Sequence, residues 1–164
     1  MRLRIAVGVP CRDWLRACPG ARQLARQAAR AAWRAGRPHL EGAGGEAELA
    51  IVLSDDSQQQ RLNRDFRGSD APTNVLSFAA GDSSAAPGAP LLLGDVVLAY
   101  QTVAREAAEQ GRPLGDRLRH LVVHGTLHLL GWDHQSEPEA VAMELLETAI
   151  LAKLGVPDPY RDTM

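Results

Sequence analysis

The segment HGTLHLLGWDH, running from His124 to His134, constrains the fold more than any other stretch of the chain. His124 and His128 stand four residues apart, a spacing that stacks two side chains on one face of an α-helix. His134 rejoins that face only if the helix stops and the chain turns back. Gly131, just past an apolar helical run, supplies the turn, because glycine adopts the left-handed conformation that ends helices. The segment therefore predicts a helix, a glycine stop and a bend that closes three imidazoles on one point.

Three neutral imidazoles suit zinc, at ~2.0–2.1 Å per bond, and leave a fourth tetrahedral position open. An open position belongs to catalysis more than to scaffolding. A helix of packed core histidines and a purely structural ion are the competing readings. The offsets follow the metzincin protease pattern H-E-x-x-H-x-x-G-x-x-H, glycine included, but Gly125 stands where that pattern has its general-base glutamate. Peptide hydrolysis by the usual route is thereby disfavoured. His120 lies on the same helix face, yet it is eight residues from His128, a rise of ~12 Å, so the two cannot share an ion. It reads as a packed residue or as a partner behind the ligands.

The 164 residues, 45% hydrophobic and 4% aromatic, fit one domain with an aliphatic, helix-rich core. No stretch approaches the ~18 apolar residues that cross a bilayer, and Pro10, Arg12 and Asp13 interrupt the N-terminal apolar run too early for a signal peptide. A cytoplasmic location follows as the expectation. Cys11 and Cys18 form no metal or redox motif and read as free thiols. The net charge of −2 hides an asymmetry: residues 1–40 carry nine arginines and one acid, for +8, and the remainder carries −10. Arg22, Arg26, Arg30 and Arg34 recur every four residues on one helix face, with Leu24, Ala28, Ala31, Ala32 and Ala35 turned inward. Such a stripe is either a solvated face or a contact for a polyanion.

Alternating and helical apolar periods predict strands at Leu3–Val7, Glu48–Ser54, Val75–Phe78 and Leu91–Leu98, the last with Gly94 at a bulge or close approach. Helices are predicted from Pro19 to Ala35, closed by Gly36; from Asp55 or Asp56 to Phe66, with Leu62 and Phe66 facing the core; and over Thr102–Gln110, Asp116–Leu130 and Glu137–Leu154. Ser136 and Glu139 form a capping box for the last helix, and Gly155 ends it. Residues 79–90 read as a loop. The order βαβαββααα gives an α+β fold, a four-stranded mixed sheet packed with helices, one of them metzincin-like.

With these residues in hand, the chain resembles the YbeY-type endoribonucleases over about Glu48–Gly155. The resemblance is carried by LNRDFRGSDAPTNVLSF, LLLGDVVLAY, LVVHGTLHLLGWDH and the helix with Met143 and Glu147. It implies one zinc-dependent endoribonuclease domain over residues 1–164, specific for single-stranded RNA and acting in maturation of the 16S ribosomal RNA 3′ end and in ribosome quality control. It further implies His124, His128 and His134 as ligands of one zinc ion, Arg67 as the catalytic arginine, and the small ribosomal subunit and its assembly factors as partners, with no membrane and no DNA. Two positions depart from the family: Asn74 replaces the usual aspartate and Trp132 the usual tyrosine.

Arg67 stands where a helix runs into a turn, and a guanidinium there suits the charge that develops as a phosphodiester is cleaved. An ion pair with Asp65 or Asp70 is the alternative. Asp133 reads as a turn cap, a proton carrier or a partner that orients a ligand, and Glu144 and Glu147 are the carboxylates that a peptide or small-molecule metallohydrolase could use as a base. A zinc-stabilised ribosome-binding factor without cleavage activity is the other rival.

Overall fold

A computed structural model describes residues 2–37, 45–80 and 89–161. The sheet contains β1 (Arg2–Gly8), β2 (Glu46–Ser54), β3 (Val75–Ala79) and β4 (Leu91–Ala99). Their order is β1-β2-β4-β3, with β1, β2 and β4 parallel and β3 antiparallel to β4. Six helices complete the described residues: α1 (Asp13–Ala17), α2 (Ala21–Gly36), α3 (Asp56–Arg67), α4 (Tyr100–Gln110), α5 (Leu114–Leu129) and α6 (Glu137–Lys153). The fold is the expected α+β arrangement of a four-stranded mixed sheet packed with helices. Among the described residues no helix is long and apolar enough to cross a membrane.

Alternation decides which sheet face is covered. Leu3 on β1 and Ala47, Leu49, Ile51 and Leu53 on β2 are buried, whereas Arg4 and Ala6 between them are exposed. The buried face joins Val96 and Leu98 of β4, the alanine stripe of α2 and the apolar face of α5 in one core. Full burial of these aliphatic side chains contributes roughly 1.5–3 kcal/mol for each large one.

Local signals act as read. Asp55 caps α3 by accepting from the Gln58 amide, and Ser136 caps α6 by accepting from the Glu139 amide. Gly94 has a φ of +136°, beside a bulge opposite Glu48 and Leu49, and a Cβ there would lie 2.1 Å from the Phe78 carbonyl oxygen. Both cysteines are free.

Three readings need correction. No helix is expected over Asp13–Ala17, whose five residues show no periodicity, yet α1 forms there and buries Trp14 completely, with the indole donating to the Ser54 carbonyl at 2.9 Å. Helix α2 starts at Ala21, two residues after Pro19, and its buried stripe is Ala21, Ala25, Ala28, Ala29 and Ala32 with Trp33, leaving Ala35 exposed. Helix α2 closes at Gly36 as read, though without a left-handed angle there; the missing Cβ also permits close packing, since a Cβ on Gly36 would meet Leu127 at 2.8 Å and Leu130 at 3.0 Å. Phe66 is 68% exposed, and α3 packs inward through Gln59 and Asn63, which satisfy the carbonyls of Val97 and Ala71. Most of the loop read over 79–90 lies outside the described residues.

Candidate metal centre

Helix α5 presents His124 and His128 on one face, and the chain then turns as Gly131 requires. The Trp132 amide donates to the Leu127 carbonyl and the Gly131 amide to the His128 carbonyl, the paired bonds of a Schellman stop, with Gly131 at a φ of +99°. The Asp133 carboxylate accepts from the His134 amide at 2.7 Å, pinning the bend. One ligand atom from each of His124, His128 and His134 lies within 4.8 Å of the other two.

The donor set fits a divalent ion. The Nε2 atoms of His124 and His128 are 3.1 Å apart. Two nitrogens sharing a tetrahedral ion at ~2.0–2.1 Å would lie ~3.3–3.4 Å apart, so little movement separates the two arrangements. Burial and the neighbouring imidazoles hold the His128 pKa below the ordinary histidine value, which favours the neutral, ligating form.

Behind the three imidazoles lies a buried polar relay. Glu147 of α6 has no solvent exposure, and one of its carboxylate oxygens accepts from His124 Nδ1. That bond fixes the proton on Nδ1 and leaves Nε2 free to ligate. The other carboxylate oxygen accepts from the Tyr160 hydroxyl and lies 3.5 Å from His120 Nε2. Burial pushes the Glu147 pKa up, but the bonds from His120, His124 and Tyr160 outweigh it and bring it down to about 2. Desolvation of its hydroxyl and the bond to this carboxylate raise Tyr160 well above its ordinary value.

His120 is thus both packed and a partner behind the ligands. Arg117 donates to its Nδ1 at 3.0 Å, which assigns the ring proton to Nε2 on the Glu147 side. Arg117 also pairs with Glu106 at 2.9 Å, and both Glu106 oxygens accept from the Asn74 side chain, at 3.1 and 3.3 Å. Asn74 therefore suits this chain: an aspartate there would set a second carboxylate against Glu106.

Gly125 explains the missing glutamate. A Cβ at this position would lie 2.7 Å from Val96 Cγ1 and 2.9 Å from Ser77 Oγ. Here α5 presses directly on the sheet, and no side chain has room. The Ser77 hydroxyl donates to the Gly125 carbonyl at 3.1 Å, while the Ser77 carbonyl accepts from Arg67 at 2.6 Å. One serine of β3 thereby ties the ligand helix to the arginine, a role that its place in the sequence does not reveal.

Arg67 closes α3, and the left-handed Gly68 turns the chain away after it. Its guanidinium carbon lies 5.7 Å from the centre of the Phe78 ring. Asp65 and Asp70 pair with Arg64 instead, at 3.2 and 4.0 Å, so the alternative ion pair of Arg67 is not formed. Arg67, Asn74, His124, His128, Trp132 and His134 line one cleft of about 790 Å³. Glu144 is exposed on α6 and lies outside the cleft lining.

An α+β fold whose cleft gathers three imidazoles and a guanidinium has the donor set of a metal-binding protein. Residues 21–155 match the model of the family described as Endoribonuclease YbeY, and the chain belongs to that family. It is similar to Endoribonuclease YbeY of Paramagnetospirillum magneticum, with 55% identity over 161 residues covering 96% of each chain. It is also similar to Endoribonuclease YbeY of Rhodospirillum rubrum, with 51% identity over 98% of this chain and 82% of that one. A solution structure from Thermotoga maritima shares the fold, with a TM-score of 0.53 at 20% identity over 97% of this chain and 99% of that one.

Proposed function

We propose that residues 1–164 form a single zinc-dependent endoribonuclease domain that hydrolyses single-stranded RNA and acts in ribosomal RNA processing and ribosome quality control. His124, His128 and His134 hold the metal and Arg67 is the catalytic residue. The observation that carries this reading is the shared cleft, in which an always-charged guanidinium faces the same space as three convergent imidazoles. Membership of a family whose relatives bear the name endoribonuclease supports the choice of RNA.

Zinc bound by the three imidazoles would supply Lewis-acid polarisation of a phosphoryl oxygen and a water of pKa ~7. Glu147 keeps the His124 proton on Nδ1, so the ligating lone pair stays aimed at the cleft. Arg67 gives one N–H to the Ser77 carbonyl and has others to grip phosphate oxygens as their charge grows. The bound strand contributes a phosphate in reach of both groups, and its partners are ribosomal RNA and the small subunit with its assembly factors.

Peptide hydrolysis lacks a glutamate base in this arrangement. The Gly125 position is closed to any side chain, Glu147 is buried and fully engaged, and Glu144 lies outside the cleft lining. A non-cleaving assembly factor would need no accessible ion, yet His134 is exposed.

Metal analysis with cleavage assays on single-stranded and structured RNA tests the reading. His124→Ala is expected to lose both metal and cleavage. Arg67→Ala is expected to keep its metal and lose cleavage by roughly 10²–10³-fold, the usual cost of removing a group that stabilises transition-state charge. Equal cutting by wild type and Arg67→Ala would trace the activity to a contaminating nuclease.

A further inference from the structure

We propose that the arginine-lined cleft between the C-terminal half of α2 and the edge strand β1 binds the phosphate backbone of the RNA strand whose neighbouring segment occupies the histidine cleft. This rests on the endoribonuclease reading above and adds to it a second contact surface remote from the metal ligands.

Five arginines and one acid line this cleft: Arg2 and Arg4 from β1, Arg30 and Arg34 from α2, Arg37 just past its end, and Glu46 from β2. Arg4 is shared with Glu46 and Glu48, each at 3.9 Å, and Arg30 donates to the Leu3 carbonyl. Among the described residues, Arg2, Arg34 and Arg37 are exposed and form no ion pair. A solvated helix face alone would not explain why a different element, the strand edge, adds charge of the same sign to the same hollow. Trp33 at its base is 3% exposed, so the surface offers little aromatic area for stacking bases. Clustered guanidiniums without an exposed apolar face grip phosphates irrespective of sequence.

The position of this surface is what connects it to the chemistry. Helix α2 ends against the ligand helix: a Cβ on Gly36 would meet Leu127 of α5 at 2.8 Å and the Trp132 indole nitrogen at 3.2 Å. The Trp132 indole donates toward the Gly36 carbonyl at 3.5 Å, and Trp132 is also a wall of the histidine cleft. The arginine end of α2 is therefore fixed to the far side of that wall. Arg37 follows Gly36 directly, so a strand leaving the histidine cleft across Trp132 would meet this arginine end.

The test is the length dependence of binding, read by fluorescence anisotropy with 2′-O-methyl RNA strands, one hexanucleotide and one long and unstructured. In the wild type, affinity rises from the short strand to the long one and falls steeply with salt. The variant Arg2→Gln/Arg34→Gln/Arg37→Gln is expected to lose that gain, on the order of tenfold, and to flatten the salt slope for the long strand by about 2, at ~0.7 per phosphate contact removed. Arg12→Gln/Arg61→Gln/Arg105→Gln removes the same charge from exposed positions outside both clefts and is expected to keep the gain. A cleft variant that folds as judged by circular dichroism and keeps the full gain overturns the proposal, as does an equal loss in the control variant, which would reduce the effect to net charge. Cleavage by wild type and Arg67→Ala is scored in parallel. Equal cutting by those two removes the nuclease reading, whereas a normal loss in Arg67→Ala with an undiminished length gain in the cleft variant overturns the arginine surface alone.

Discussion

On the α5 wall of the histidine cleft, His124 backs onto a carboxylate with no solvent exposure, which is itself held by Tyr160 and faced by His120. On the opposite wall, Arg67 sits at an exposed helix end and rests on one carbonyl and the face of one ring. The first wall is a relay in which every proton has an assigned place; the second is a long side chain with spare donors. Ligands must meet an ion at fixed distances, and rings locked from behind arrive already aimed. A guanidinium that follows charge as it moves onto a phosphate gains from leaving several N–H groups uncommitted.

The contrast breaks most sharply if the walls are disabled separately. Arg67→Ala should depress turnover by roughly 10²–10³-fold while zinc affinity stays at the wild-type value. Glu147→Gln should do the reverse. Its amide oxygen still accepts from His124 Nδ1 but carries no charge, so zinc affinity is expected to fall 10–100-fold, roughly the usual effect of losing a carboxylate behind a histidine ligand. Competition with a chromophoric chelator reads that affinity directly, and the zinc-saturated variant should turn over close to the wild-type rate. If Glu147→Gln bound zinc as tightly as wild type, the relay would be packing and nothing more.

Gly125→Ala tests the seam between the walls. The added methyl would lie 2.7 Å from a β-branched side chain on a central strand and 2.9 Å from the serine that carries Arg67. Overpacking of this kind costs about 1–3 kcal/mol, readable as a shifted denaturant midpoint at unchanged slope. Because Ser77 ties both walls, the same substitution should lower turnover as well as stability. A loss of stability with turnover intact would show that Arg67 is positioned independently of the ligand helix.

How much of this was legible in the sequence follows from how local each device is. The His124–His134 stop and bend, the Asp55 and Ser136 caps and the close approach at Gly94 each depend on a few neighbouring residues, and each stands as read. Gly36 closes α2 as a glycine at a helix end signals, but its missing Cβ also serves a contact with residues more than ninety positions away, which no local pattern shows. Glu147 reads as a spare carboxylate and as part of a family block, but nothing in its own helix places it against His124. Ser77 and Tyr160 gave no signal: a serine in a short strand and a tyrosine after two prolines acquire their roles only when β3, α5 and the chain after α6 meet.

Tyr160→Phe gives the smallest expected effect and the finest resolution of the relay. The ring stays against His120, with centroids 5.4 Å apart, and only the hydroxyl that donates to Glu147 is removed. Losing one donor to a buried carboxylate costs about 1–3 kcal/mol of stability, toward the lower end here because Tyr160 is 45% exposed and water has access to the gap. Freed of that donor, the carboxylate binds the His124 proton more tightly, which keeps the tautomer correct, so zinc affinity should change by no more than a few-fold. A fall in affinity matching that of Glu147→Gln would instead mean that the hydroxyl, by holding the carboxylate in place, is what aims His124. The relay would then start in the segment after α6 rather than at Glu147.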